Sequence, residues 1–96
     1  MPQVIFAPAA IQDLQRLRDF LRPRNAEAAR RASEAIRQGL KILGAYPRVG
    51  RVIEDMPEQF REWLIDFGDR GYVARYRIDE GAVTILAIRH QKEAGI

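Results

Sequence analysis

The sequence predicts a single α+β domain: an N-terminal strand and a two-helix antiparallel hairpin packed on a twisted antiparallel β-sheet, in the order β-α-α-β-β-β. Three observations carry this. Apolar residues recur at spacings of three and four through residues 8–43, the period of an amphipathic helix. They alternate with polar residues from 61 onward, the period of a half-buried strand. The gaps between the later strands are only a few residues long, which demands antiparallel hairpins rather than crossovers. A chain of 96 residues supports one thin core, so residues 1–96 form one domain.

Residues 3–6, Gln-Val-Ile-Phe, read as the first strand. Pro8 suits the first turn of a helix, where its missing N–H is no loss. Ile11, Leu14, Leu17 and Leu21 then form an apolar stripe that runs to about Arg22. Asp13 with Arg16, and Asp19 with Arg22, fall on the wet side as pairs three apart. Pro23 stops the helix, because the residue before a proline is driven out of the helical region. Asn25 is the expected N-cap of a second helix. Its stripe is Ala29, Ala32, Ile36, Leu40 and Leu43, with Glu27–Arg31 and Glu34–Arg37 as supporting pairs and Gly44 just past its end. The small residues come first, which implies that the start of this helix lies close to the first helix. The short connection through Pro23, Arg24 and Asn25 makes the two an antiparallel hairpin.

Residues 45–59 hold Pro47, Gly50 and Pro57 and read as irregular, with Arg48 and Arg51 among them. Strands follow at Arg61–Phe67, Tyr72–Ile78 and Ala82–Arg89, joined by turns at Gly68-Asp69-Arg70-Gly71 and Asp79-Glu80-Gly81. A register that sets Phe67 opposite Tyr72 and Asp79 opposite Ala82 gathers Trp63, Ile65, Phe67, Tyr72, Ala74, Tyr76, Ile78, Val83 and Ile85 on one face. That face is the expected core. The other face carries Glu62, Leu64, Asp66, Val73, Arg75, Arg77, Thr84, Leu86, Ile88 and His90, and a one-residue slip would exchange the two sets.

Composition narrows the chemistry. Hydrophobic residues make up 47% and charged residues 30%, a balance that excludes a disordered chain. There is no cysteine, so thiol catalysis, disulfides and cysteine-based metal sites are excluded, and one histidine makes no metal site; no metal or cofactor is expected. No signal segment or membrane-length apolar run is present, and a cytoplasmic protein without a membrane partner is expected. Residues 1–53 carry a net charge of +6 and residues 54–96 one of −3, so the first half suits an acidic partner or a phosphate backbone, or is simply a solvated helical surface.

The exposed face concentrates the candidate residues. Arg75, Arg77 and His90 share it, and a histidine with an unperturbed pKa of about 6.5 suits acid–base work. Leu64, Leu86 and Ile88 form an apolar patch that asks for a partner. Arg75 and Arg77 also have a plainer role open to them, neutralising Glu62 and Asp66 across the sheet. Arg61 and Arg89 are expected to make structural ion pairs or to snorkel at strand ends.

The order of elements, together with Pro8-Ala9-Ala10-Ile11-Gln12-Asp13-Leu14, Pro47-Arg48-Val49-Gly50-Arg51, Arg61-Glu62 and Ile85-Leu86-Ala87-Ile88-Arg89-His90-Gln91-Lys92, resembles the RelE/ParE toxin superfamily over nearly the whole chain. The resemblance implies the toxin of a type II toxin–antitoxin system, of the kind that serves plasmid stabilisation or stress responses. It implies a cognate antitoxin as partner and higher-order toxin–antitoxin complexes. Two activities are known among such toxins: RelE-like members cleave mRNA on the ribosome, and ParE-like members inhibit DNA gyrase. RelE-like proteins place an Arg-Leu-Val-Tyr run on the third strand, whereas this chain has Val73-Ala74-Arg75-Tyr76 and so puts Val73 at the usual catalytic arginine. No tyrosine follows Tyr76. Arginines clamp phosphate well but accept protons poorly. A ParE-like gyrase inhibitor is therefore favoured. The alternative is a ribosome-dependent endoribonuclease with His90, Arg75 and Arg77 as candidate catalytic residues. In either case Arg48, Arg51, Leu64, Arg75, Arg77, Leu86, Ile88 and His90 are the candidates for target or antitoxin binding. A different class, a non-toxic interaction module that dimerises through its helices, is the second alternative.

Overall fold

The computed structural model describes residues 3–68 and 71–94. Its elements are β1 (Gln3–Phe6), α1 (Pro8–Leu21), α2 (Ala26–Ala45), β2 (Arg51–Val52), β3 (Phe60–Ile65), β4 (Tyr72–Asp79), β5 (Ala82–His90) and the short α3 (Gln91–Ala94). The α+β architecture and the helical hairpin stand as expected. The sheet has five strands in the order β1-β5-β4-β3-β2 and is mixed rather than purely antiparallel, because β1 pairs with β5 in parallel. Two short elements had no period long enough to be read from sequence: β2, which is two residues long, and α3. Asp69 and Arg70, the centre of the turn expected at 68–71, lie outside the described residues.

The helix ends follow local chemistry. Pro8 opens α1. The Asn25 side chain accepts the Ala28 N–H at 3.0 Å and caps α2. Helix α2 does not stop at Gly44. It continues through Ala45 to a cap at Tyr46, and Gly44 is buried within its last turn. Glu27 pairs with Arg30 rather than Arg31, while Glu34 pairs with Arg37 as expected. These arginines hold both carboxyls below the usual carboxylate range.

The core lies between the helix pair and one sheet face. Leu17, Ile36, Leu40 and Leu43 pack there against Ile65, Tyr72, Tyr76, Val83, Ile85 and Ile88. Close approach is built in at Gly39, whose Cα stands so near β3 that an added Cβ would lie 2.7 Å from Ile65 Cγ1. The Gly39 carbonyl meanwhile accepts the Trp63 indole N–H at 3.0 Å. Gly71 is required at the start of β4: its φ is +103°, and a Cβ there would lie 2.0 Å from the Ile65 carbonyl oxygen.

Two register findings correct the expected faces. Strands β3 and β4 pair with Ile65, not Phe67, opposite Tyr72. This offset of two residues leaves every side chain on its expected face, since the strand period is two. Phe67 lies beyond the strand, with its ring 6.1 Å from that of Tyr72. The second finding changes the site. Asp79 faces Ala82 as predicted, but the ladder shifts between Arg75 and Tyr76: Tyr76 pairs with Ile85 and Arg75 with Ala87. Leu86 is the extra residue of a β-bulge. Beyond it every side chain of β5 changes face. Ile88 pairs with Ala74 and is 0% exposed, a core residue rather than part of a surface patch.

Candidate functional site

On the sheet face turned away from the helices Glu62, Leu64, Arg75 and Arg77 lie where predicted, Val73 is buried there, and past the bulge Ala87 and Arg89 take the places expected of Leu86, Ile88 and His90. Across it run Arg51, Glu62, Arg75 and Ala87 in one row of cross-strand partners, and Leu64, Val73 and Arg89 in the next. Glu62 receives two arginines: Arg51 reaches Oε1 at 3.4 Å and Arg75 reaches Oε2 at 3.2 Å. Arg77 turns to Asp79, two residues on, at 2.9 Å, instead of reaching across to Asp66. Thr84 Oγ1 donates to the same carboxylate at 3.1 Å. These contacts hold the Asp79 carboxyl below its ordinary range and push the Arg77 guanidinium further up. Arg48, on the loop, pairs with Glu58 at 3.1 Å. Each of these four arginines therefore has a carboxylate partner, but Arg51 and Arg75 share one.

His90 does not join them. It stands opposite Tyr72, on the core side of the bulge, with its ring edge-on to the tyrosine at 5.5 Å and 89°. Its Nδ1 accepts the Lys92 N–H at 3.1 Å, which puts the proton of the neutral ring on Nε2. The catalytic grouping of His90 with Arg75 and Arg77 is thus not assembled. Leu64 is 45% exposed, as a docking residue requires, whereas Leu86 is half-buried in the bulge and Ile88 is internal.

The segment Pro47-Arg48-Val49-Gly50-Arg51 is held from beneath. The buried Tyr76 hydroxyl donates to the Pro47 carbonyl at 2.6 Å and accepts the Gly50 N–H at 2.9 Å. Arg61, on the same face, donates to the carbonyls of Arg48 and Gly50 at 3.2 and 3.0 Å. Gly50 is needed because a Cβ there would lie 2.5 Å from the Tyr76 oxygen. Burial pushes the Tyr76 phenol up, with the Gly50 N–H and the Arg61 charge pulling the other way. The loop backbone is fixed while Arg48 and Arg51 project into solvent, each 64% exposed. Arg61 thus holds loop carbonyls, where an ion pair or a snorkelling side chain was expected.

Asp13 of α1 also departs from expectation. It is buried, not on the wet side: its Oδ2 accepts the Ile88 N–H at 2.9 Å and pairs with Arg89, while its Oδ1 keeps the expected pair with Arg16 at 3.7 Å. Strand β1 pairs with β5 only as far as Ile85, so among the described residues no strand lies beside the next stretch of that edge, and the Asp13 carboxylate satisfies one of its amides. The signal was present: Ala10, Asp13 and Leu17 are spaced by three and four, and all three are buried. A further feature is a cleft of about 240 Å³ lined by Leu14, Leu17 and Leu21 of α1 and by Ala29, Ala32 and Ile36 of α2. Phe6 and Tyr72 of the sheet, and the basic residues Arg18 and Arg37, also line it. The small residues at the start of α2 are buried as expected, yet the two helices leave this gap between them.

The model of the family described as ParE toxin of type II toxin-antitoxin system, parDE, matches residues 4–95. The chain belongs to the ParE toxin family. The family falls within the RelE/ParE superfamily of type II toxins, which agrees with the resemblance of the Pro47–Arg51 and Ile85–Lys92 segments. Among curated relatives, the toxin RelE3 of Caulobacter vibrioides is 37% identical over 93 residues, covering 97% of this chain and 98% of the relative. The toxin RelE2 of the same organism is 31% identical over 90 residues, covering 94% and 96%. The solved structure of a chromosomal ParDE toxin–antitoxin system from P. aeruginosa matches with a TM-score of 0.76 at 20% identity, covering 94% of this chain and 96% of that one, a likeness of fold. No helix among the described residues is long and apolar enough to cross a membrane.

Proposed function

We propose that this ParE-family toxin acts by inhibiting DNA gyrase and is silenced by a cognate antitoxin. The observation that carries the choice of target is the separation of His90 from Arg75 and Arg77 by the β5 bulge. Ribonucleolytic cleavage needs a proton acceptor, a charge stabiliser and a proton donor around one phosphate. Here the histidine is on one side of the sheet and the arginines are on the other, each beside a carboxylate. Val73 stands where nucleolytic relatives place an arginine. Such a face suits protein contact better than RNA chemistry.

A paired assay on the purified chain tests this. Gyrase supercoiling of a plasmid is expected to stop, while mRNA on programmed ribosomes stays intact. His90→Ala is expected to leave the inhibition in place. Codon-positioned cuts with normal supercoiling would reverse the assignment. That second reading, a ribosome-dependent endoribonuclease, is favoured by one specific finding: the curated relatives carry RelE names.

The antitoxin partner follows from the family and from the ParDE system named for the structural neighbour. The α1–α2 cleft is the place for its apolar anchors, since it is walled by leucines and alanines and bordered by Arg18 and Arg37. Acidic residues beside those anchors would meet the two arginines. Charge reversal at Arg75 and Arg77 tests whether the segment also reaches the sheet: weakened antitoxin binding or toxicity is expected, and wild-type behaviour in both would remove that face from the mechanism.

A further inference from the structure

We propose that Arg51, Glu62 and Arg75 form an anchor for an acidic side chain of a protein partner, with Glu62 acting as the resident competitor for that position. The inference deepens the reading of the chain as an antitoxin-neutralised toxin and takes from it only the identity of the partner, the antitoxin.

The geometry carries the argument. Arg51 on β2 and Arg75 on β4 flank Glu62 on β3, and each gives one N–H to a different oxygen of the same carboxylate. A guanidinium has five such donors. Among the described residues neither arginine makes another side-chain bond, and the Arg51 and Arg75 side chains are 64% and 45% exposed. The group is one positive charge in excess. That excess is local, because Arg77 is balanced by Asp79 and Arg48 by Glu58. Glu62 is itself only 22% exposed. A partner carboxylate entering between the forks would use the donors Glu62 leaves idle and compete for those it holds.

The neighbours define the rest of the ligand. Leu64 follows Glu62 on the same face, and Leu64 pairs with Val73 as Glu62 pairs with Arg75. A partner residue covering Leu64 would exclude water from the anchor and strengthen it. The chemistry recognised is therefore an aspartate or glutamate flanked by apolar residues. A nucleic-acid backbone fits less well: it presents successive phosphates, and the neighbouring Arg48 and Arg77 are each paired with a carboxylate of their own.

The test is a subtractive selection. A library of random 15-residue peptides is first depleted on the R51Q/R75Q chain and then selected on the wild type. Survivors rich in Asp or Glu beside apolar residues are expected. They should bind E62Q at least threefold more tightly than wild type, because the resident competitor is gone. R51K/R75K, which keeps the charges and loses the forks, should bind them more weakly than wild type, and it replaces the glutamine variant if that one fails to fold. A library emptied by depletion, survivors without acidic residues, or an E62Q affinity equal to or below wild type would overturn the proposal. Labelled 12-nucleotide RNA and DNA are titrated in parallel. Binding that is lost in R51Q/R75Q would overturn it in favour of a phosphate site. None of these readouts involves gyrase or the ribosome, so failure of the anchor and failure of the target assignment are separable.

Discussion

Replacing Tyr76 with phenylalanine isolates the clamp under the Pro47–Arg51 loop, because the ring and its packing remain and only the hydroxyl is lost. Two hydrogen bonds go, one to the Pro47 carbonyl and one from the Gly50 N–H. Each is worth about 0.5–1.5 kcal/mol net, and a buried N–H left without a partner costs about 1–3 kcal/mol. Gly50 is buried, and the Tyr76 ring leaves water little room to replace the oxygen. A loss of about 2–3 kcal/mol is expected, which in a chain of this size lowers Tm by roughly 10–20 °C. Denaturant and thermal unfolding followed by circular dichroism measure it. The pH dependence gives an independent check. Burial raises the phenol in the folded chain above the unfolded value of about 10. Its contribution is therefore complete below that pH and lost as the pH rises through the folded value, and the wild type should converge on Tyr76→Phe in alkali. A loss below about 0.5 kcal/mol at neutral pH would refute the clamp, since water would then be replacing the hydroxyl without cost.

Gly39→Ala sets a methyl group against Ile65 and separates α2 from β3. Overpacking of about 1–3 kcal/mol outweighs the helix-propensity gain of up to about 1 kcal/mol, and the fluorescence of Trp63, which bonds the Gly39 carbonyl, should shift red. Asp13→Ala strands the Ile88 amide and leaves Arg89 without its carboxylate, costing about 2–4 kcal/mol, with faster hydrogen exchange at Ile88 as the specific sign. Deletion of Leu86 should be tolerated, because it removes the unpaired residue and leaves Arg75–Ala87 and Ala74–Ile88 as partners. A cooperative unfolding transition and a retained cross-peak between the Tyr72 and His90 rings would show it, whereas collapse of the fold would mean that the bulge bends β5 in a way the core requires.

Most of the fold was legible because its elements carry clean periods. The stripe of α2, the Asn25 cap and the alternation of β4 each repeat often enough to be read without a partner element. What was not legible depends on contacts between distant segments. Nothing local says that β1 adds in parallel at the edge beside β5, or that the two residues of β2 pair with Arg61 and Glu62. Asp13 reads as a surface carboxylate by residue type, and only the early end of β1, which exposes an unpaired amide of β5, makes a buried carboxylate favourable there.

The candidate site shows the same division along a single strand. Up to Ile85 the alternation of β5 predicts faces correctly, and the cross-strand pairing of Arg75 with Glu62 follows from β3 and β4, whose offset of two residues preserves parity. One inserted residue then inverts everything downstream. Ala82–His90 is apolar at so many positions that either phase gives an acceptable strand: Leu86 and Ile88 outward leaves an apolar patch, whereas Ile88 inward fills the core. The structure resolves the choice by packing, since Ile88 beneath α1 is wholly buried and its amide meets Asp13. The same inversion carries His90 against Tyr72 and away from the arginines. The chemistry available to the exposed face is thus decided by the position of Leu86 rather than by any residue on that face. With the histidine on the other side, that face keeps an arginine pair around Glu62 beside the exposed Leu64, together with the Arg77–Asp79 pair.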